Sequence, residues 1–190
     1  MILPRWMMFA AGLLVGAILA RLVVLWWKYR GQRVVTCPEN QRPAGVTVDR
    51  TRAALGGLTF RRELQLNQCS RWPERAGCGQ ACLHQIEAAP ADCLVRNILI
   101  KWYEGKNCRT CGLPIGPIVM GAAQPALFTA DKVSVDKVSV EWSDIPAERL
   151  QEVLSAAEPV CFACHMASKM MREHPELMID RSARTVNSSR

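Results

Sequence analysis

The chain has 190 residues, a formal net charge of +7, 49% hydrophobic residues and nine cysteines. The odd cysteine count excludes complete internal disulfide pairing, leaving a free thiol, an intermolecular bridge or non-disulfide chemistry. The charge does not read as a nucleic-acid surface, because Arg50, Arg52, Arg61, Arg62, Arg71, Arg75, Arg181, Arg184 and Arg190 are scattered, without a basic helix face or an interleaved aromatic platform. Attraction to anionic lipid headgroups accounts for it more simply.

From Trp6 to Trp27 the chain is apolar except for Arg21. As a helix this stretch rises roughly 33 Å, enough to cross a hydrocarbon core of about 30 Å. Trp6 at one end and Trp26-Trp27 at the other suit the aromatic belts of the two interfaces. A secretory signal peptide is the competing reading, but the apolar stretch exceeds a typical h-region and no convincing small-x-small cleavage site stands before Lys28. Residues 1–28 are therefore expected to be an uncleaved single-pass anchor. Lys28, Arg30 and Arg33 follow the span, and Arg21 can snorkel toward the same end, whereas Arg5 and the amino terminus precede it. The positive-inside rule then puts the rest of the chain in the cytoplasm, with the periplasm as the alternative.

Beyond the anchor, residues 33–37 and 45–49 read as short strands joined through Pro38, Asn40 and Pro43. Residues 58–66 alternate as a third strand, so a small antiparallel sheet is expected from about 33 to 68. Gly77-Cys78-Gly79 is expected to open a helix running to Ala89 and stopped by Pro90, which would put Cys78 and Cys82 on one helical face. Residues 92–103 form an apolar helix or strand ending at Gly105. Residues 113–128 look irregular, with Ile115, Ile118 and Val119 as a short strand. A five-residue tandem duplication at Asp131 and Asp136 alternates polar residues with valine and reads as a strand or hairpin arm. Ser143-Asp144-Ile145-Pro146 should open a helix to about Ala157, interrupted by Pro159, and another helix should carry residues 162–174. The tail from Arg181 is expected to be disordered.

Four cysteines stand as two C-x-x-C pairs, Cys108-Arg-Thr-Cys111-Gly112 and Cys161-Phe-Ala-Cys164-His165. Two such pairs across a structured gap suit a tetrahedral thiolate zinc site, with Gly112 easing the turn after the second cysteine. Over residues 108–165 the pattern resembles zinc-ribbon and rubredoxin-like knuckles. That resemblance implies Cys108, Cys111, Cys161 and Cys164 as the four zinc ligands. The second pair with its histidine also resembles the C-x-x-C-H attachment motif of c-type haem. This second resemblance implies thioethers at Cys161 and Cys164, His165 as proximal iron ligand, and a distal ligand among Met170, Met171, Met178 and His174. The haem reading leaves Cys108 and Cys111 unexplained and needs the periplasmic side. A redox dithiol at Cys161 and Cys164, or four reduced cysteines packed as small hydrophobes, are the blander alternatives.

Cys37, Cys69, Cys78, Cys82 and Cys93 form a second group whose spacing fits no named ligand pattern. Four of them could hold a second zinc or an iron–sulfur cluster, or pair as two disulfides in an oxidising compartment. His84 and Trp72 read as surface and packed-loop residues. No phosphate loop, nucleophile elbow or His-Glu-x-x-His motif is present, so an enzyme is not indicated. The expectation is an α+β protein in four segments: the anchor at 1–28, a cysteine-rich region at 29–105, a metal-binding region at 106–178 and a tail at 179–190. Its role would be that of a membrane-anchored zinc-binding accessory or assembly protein that docks a protein partner and no nucleic acid. The alternative is a membrane-tethered mono-haem cytochrome transferring electrons.

Overall fold

In the computed structural model the described residues are 5–57, 64–72, 74–75, 77–119, 123–129 and 138–177. The chain divides into two compact units, Met1–Trp102 with Pro146–Gln151, and Tyr103–Ile145 with Glu152–Arg190.

The first unit begins with α1 (Arg5–Lys28). Its stretch Trp6–Lys28 has a mean hydropathy of 2.4 and none of it is buried within the protein, so it is long and apolar enough to cross a membrane. The end of this helix is closed by an arginine. Arg33, fully buried, donates to the carbonyl oxygens of Lys28 at 2.7 Å, Tyr29 at 3.1 Å and Gly31 at 3.3 Å. The last carbonyls of a helix have no partner within it, and a guanidinium is well suited to satisfy them. Just beyond, Arg30 lies 5.1 Å over the Trp27 ring and Arg50 lies 4.8 Å over Trp26.

Strands β1 (Gln32–Thr36), β2 (Pro43–Val48) and β3 (Leu66–Cys69) form an antiparallel sheet in the order β1-β2-β3, as the sequence suggests. The 58–63 part of the expected third strand lies outside the described residues. The buried face carries Val35, Ala44, Val46, Val48 and Leu66, packed with Ala53, Cys82 and Ile86. Helix α2 (Arg50–Gly56) was not expected, although its signal is in the sequence: Asp49 caps it by accepting from the Arg52 N–H at 3.0 Å, and Ala53-Ala54-Leu55 follows. The segment Pro146–Gln151 completes this unit. Ala147 is fully buried against Gly45, where a Cβ would come within 2.8 Å of the Ala147 Cβ. Only glycine permits that approach.

The helix expected from Gly77 starts later. Helix α3 spans Leu83–Ala88, Cys82 is its N-cap, and Cys78 lies outside it, so Cys78 and Cys82 do not share a helical face. The cause is local: Gln80 adopts φ +52°, which no right-handed helix accommodates, and its side-chain oxygen accepts from the Leu66 N–H at 2.9 Å. The Gln85 side chain similarly clasps both backbone groups of Thr36 on β1, donating at 2.6 Å and accepting at 2.9 Å. Helix α4 (Val95–Tyr103) buries Val95, Leu99 and Tyr103 at four-residue spacing.

In the second unit, β4 (Ala126–Thr129), β5 (Val138–Val140) and β6 (Glu158–Val160) form an antiparallel sheet in the order β5-β4-β6. Strand β5 is the end of the second duplicated copy; the rest of the duplication lies outside the described residues. Residues 115–119 are not a strand, in keeping with Pro114 and Pro117 on either side of Ile115. The helix expected from Ser143 is broken. Pro146 takes an extended conformation, two single 3-10 turns occupy Trp142–Asp144 and Ala147–Arg149, and α5 begins only at Leu150 and ends at Ala156. A residue ahead of proline is held out of the helical region, and Ile145 accordingly has ψ 114°. The expected last helix is α6 (Phe162–Glu173). The 181–190 tail lies outside the described residues.

Candidate metal centre

The first cysteine pair sits on a tight hairpin. Cys108 donates its N–H to the Leu113 carbonyl at 2.8 Å, Ile115 donates to the Lys106 carbonyl at 3.0 Å, and the Gly112 N–H returns to the Cys108 carbonyl at 2.8 Å. Gly112 has φ +72°, the left-handed conformation that the sequence assigns to a glycine at this turn. The second pair differs from a ribbon knuckle in that it opens a helix: Cys161 is the N-cap of α6 and Cys164 lies in its first turn. The two pairs are joined by the backbone. The Arg109 N–H donates to the Pro159 carbonyl at 2.8 Å, and Arg109 pairs with Glu158.

This arrangement gathers four sulfurs. The Sγ atoms of Cys108, Cys111, Cys161 and Cys164 all lie within 4.8 Å of one another, with Cys111 and Cys161 at 3.9 Å. A tetrahedral site with Zn–S bonds of about 2.3 Å sets its sulfurs about 3.8 Å apart. The four side chains can therefore hold a metal ion with little rearrangement. Cys108 is buried and Cys111 is exposed, so the centre is anchored on one side and open to solvent on the other.

The electrostatics point the same way. Burial favours the neutral thiol of Cys108, but backbone N–H groups of Cys161, Cys111 and Thr110 aimed at its sulfur prevail and bring its pKa down to about 6. The Cys161 N–H is 3.3 Å from that sulfur. Cys164 moves oppositely: its hydrogen bond with Cys161, then burial, then contacts with Cys111 and Cys108 push its thiol up to about 12. Four sulfurs this close cannot all carry charge by themselves, and a bound dication removes the conflict.

His165 is on the same helix turn but is not gathered with the sulfurs. It is buried, with Nε2 3.7 Å from Glu141 Oε1, and Lys169 Nζ reaches the same oxygen at 3.1 Å. Sequence reasoning missed Glu141, since nothing local links it to a histidine 24 residues further on. His174 is exposed and 3.1 Å from Glu176, Met170 and Met171 are exposed, and Met178 lies outside the described residues.

In the other unit, Cys37, Cys69, Cys78 and Cys82 line one cavity. Cys93 does not join them; its thiol contacts the Gln85 carbonyl at 3.7 Å, and burial pushes its pKa up. His84 is exposed, and Trp72 packs against the core. Compared with protein-family models, curated proteins and solved structures, the chain matches none.

Proposed function

We propose that this is a membrane-anchored protein whose second unit is organised around a structural zinc ion held by Cys108, Cys111, Cys161 and Cys164. The observation that carries the reading is the convergence of four sulfurs within 4.8 Å from two separate stretches of chain. A sulfur-only tetrahedral set favours zinc or iron over harder ions. With all four positions taken by protein thiolates, no position remains for water or substrate, which is the mark of a structural rather than a catalytic zinc. An accessory or assembly role follows, in which the anchor concentrates the cysteine-rich units at the bilayer and they dock a protein partner there. Lys28 and Arg30, together with Arg50 stacked on Trp26, place cations at the C-terminal end of the anchor and favour a cytoplasmic location for both units.

The c-type haem reading uses Cys161, Cys164 and His165 differently. The 3.9 Å approach of Cys161 to Cys111 and the burial of His165 beside Glu141 support the zinc reading over it. Intact mass of the full chain, first native and then denatured, separates the two. A zinc-sized increment lost on denaturation supports the proposal, together with a C-terminal reporter active only in the cytoplasm. A haem-sized increment that survives denaturation overturns it.

A further inference from the structure

The cavity in the first unit has features that the zinc centre does not explain. Four cysteines reach it from four places: Cys37 just after β1, Cys69 at the end of β3, Cys78 in the turn that follows, and Cys82 at the cap of α3. Its volume is about 80 Å³, and Val35, Val46, Leu66 and Trp72 form much of the remaining wall. The four thiols lie in one neighbourhood, because charge on Cys69, Cys78 or Cys37 acts on Cys82.

Cys37 is held as Cys108 is. Backbone N–H groups two and three residues on, from Glu39 and Asn40, point at its sulfur, just as those of Thr110 and Cys111 point at Cys108. Arg71 adds a third donor, with Nη1 3.2 Å from Cys37 Sγ. Several N–H donors on one sulfur are a surrounding for a thiolate rather than a neutral thiol. The Arg71 guanidinium is itself a cation beside that sulfur, which equips Cys37 to act as an anionic ligand.

The spacing separates this site from the other. Among the described residues, the set at Cys108, Cys111, Cys161 and Cys164 is the group of three or more ligands whose atoms all lie within 4.8 Å. The four cysteines of the first unit do not form such a group among the described residues; they line a shared cavity instead. One zinc ion would need them about 3.8 Å apart. A polynuclear centre, in which each thiolate binds an outer iron, fills a wider ring and takes four cysteines.

We propose that Cys37, Cys69, Cys78 and Cys82 hold an iron–sulfur cluster in the first unit. The Arg71 side chain and the Glu39 and Asn40 amides then donate to the Cys37 thiolate, one of the levers by which a protein sets such a cluster's potential. Cys93, turned toward Gln85, is not a ligand. The assignment is independent of the zinc centre, since the two sets share no residue.

The test is metal and sulfide analysis of the full chain in detergent, purified without oxygen and reconstituted with ferrous iron and sulfide. Iron and acid-labile sulfide in equal amounts, with a broad visible charge-transfer absorption, are expected. Cys78→Ser should lower both at least tenfold and leave zinc unchanged, and Cys93→Ser should lower neither. Cys111→Ser should lose zinc and keep iron and sulfide, so failure of the zinc reading is seen separately. A second zinc per chain without sulfide would overturn the proposal. So would disulfides among Cys37, Cys69, Cys78 and Cys82 in peptide maps of the wild-type chain, a measurement that needs no variant to fold.

Discussion

Replacing Cys111 by serine isolates what the metal contributes to the second unit. Cys111 is exposed, so the substitution removes almost no packing, whereas Cys108 is 2% exposed and would confound ligand loss with core damage. Disturbing a partner behind a metal ligand already costs about 10–100-fold in affinity, so losing a ligand itself should cost at least about a hundredfold. With zinc in excess, that ratio passes into stability as about 2.7 kcal/mol. For a unit of about 60–100 residues, each kcal/mol moves the melting temperature by about 4–8 °C, so the expected drop is about 10–20 °C. The buried apolar side chains here are few: Tyr103, Cys108, Ala126, Leu127, Ile145 and Val160 among the described residues. At about 1.5–3 kcal/mol for each large one, they do not dwarf the zinc term. The assay is thermal unfolding of the full chain in detergent, followed through the Tyr103–Trp142 stack at 5.7 Å, with and without a zinc chelator. Wild type should fall toward the variant on chelation and the variant should barely respond. A variant melting within about 2 °C of wild type in excess zinc, with chelator inert on both, would refute the argument.

Three further outcomes are expected. Arg33→Met leaves the carbonyls of Lys28, Tyr29 and Gly31 without their guanidinium, at a cost of about 2–4 kcal/mol, and should speed hydrogen exchange in β1; unchanged exchange would mean that the cap is dispensable. His165→Ala should destabilise by about 2–3 kcal/mol, because a buried ring and its approach to Glu141 are lost, while native mass shows zinc retained; parallel loss of zinc would make it a ligand. The Cys108 pKa of about 6 lies below the ordinary thiol value, so its contribution to the metal-free fold is complete above that ordinary value and is lost as pH falls through 6. Zinc binding should accordingly release about one more proton near pH 5 than near pH 7.5, measured calorimetrically in buffers of different ionisation heat, and a pH-independent release would contradict the assignment.

What the sequence made legible followed from local chemistry. The apolar stretch after Trp6, the turn residues Pro38 and Asn40 between β1 and β2, and Gly112 behind Cys111 each act on their own neighbourhood, and each stands as expected. The failures came from tertiary demands. Gln80 gives up helical geometry to satisfy Leu66, which delays α3 past Cys82, and Arg33 looks like one more membrane-proximal cation until it is found closing α1. The grouping of Cys108 with Cys161 was visible as a motif. That of Cys37 with Cys69, Cys78 and Cys82 was not, because it depends on where two strands end, a turn runs and α3 begins.

The placement of Ala147 against Gly45 has a consequence for how the chain is made. The first unit is not contiguous: it waits for Pro146–Gln151, which leaves the ribosome only after residues 103–145. At about 5–20 residues per second, that interval lasts roughly 2–9 s. Throughout it α1 and the first sheet have already been synthesised, and the seat for Ala147 beside β2 stands open. Translation arrest or cleavage ahead of Leu150 would therefore leave a fragment whose first unit lacks Ala147 and keeps part of its core uncovered.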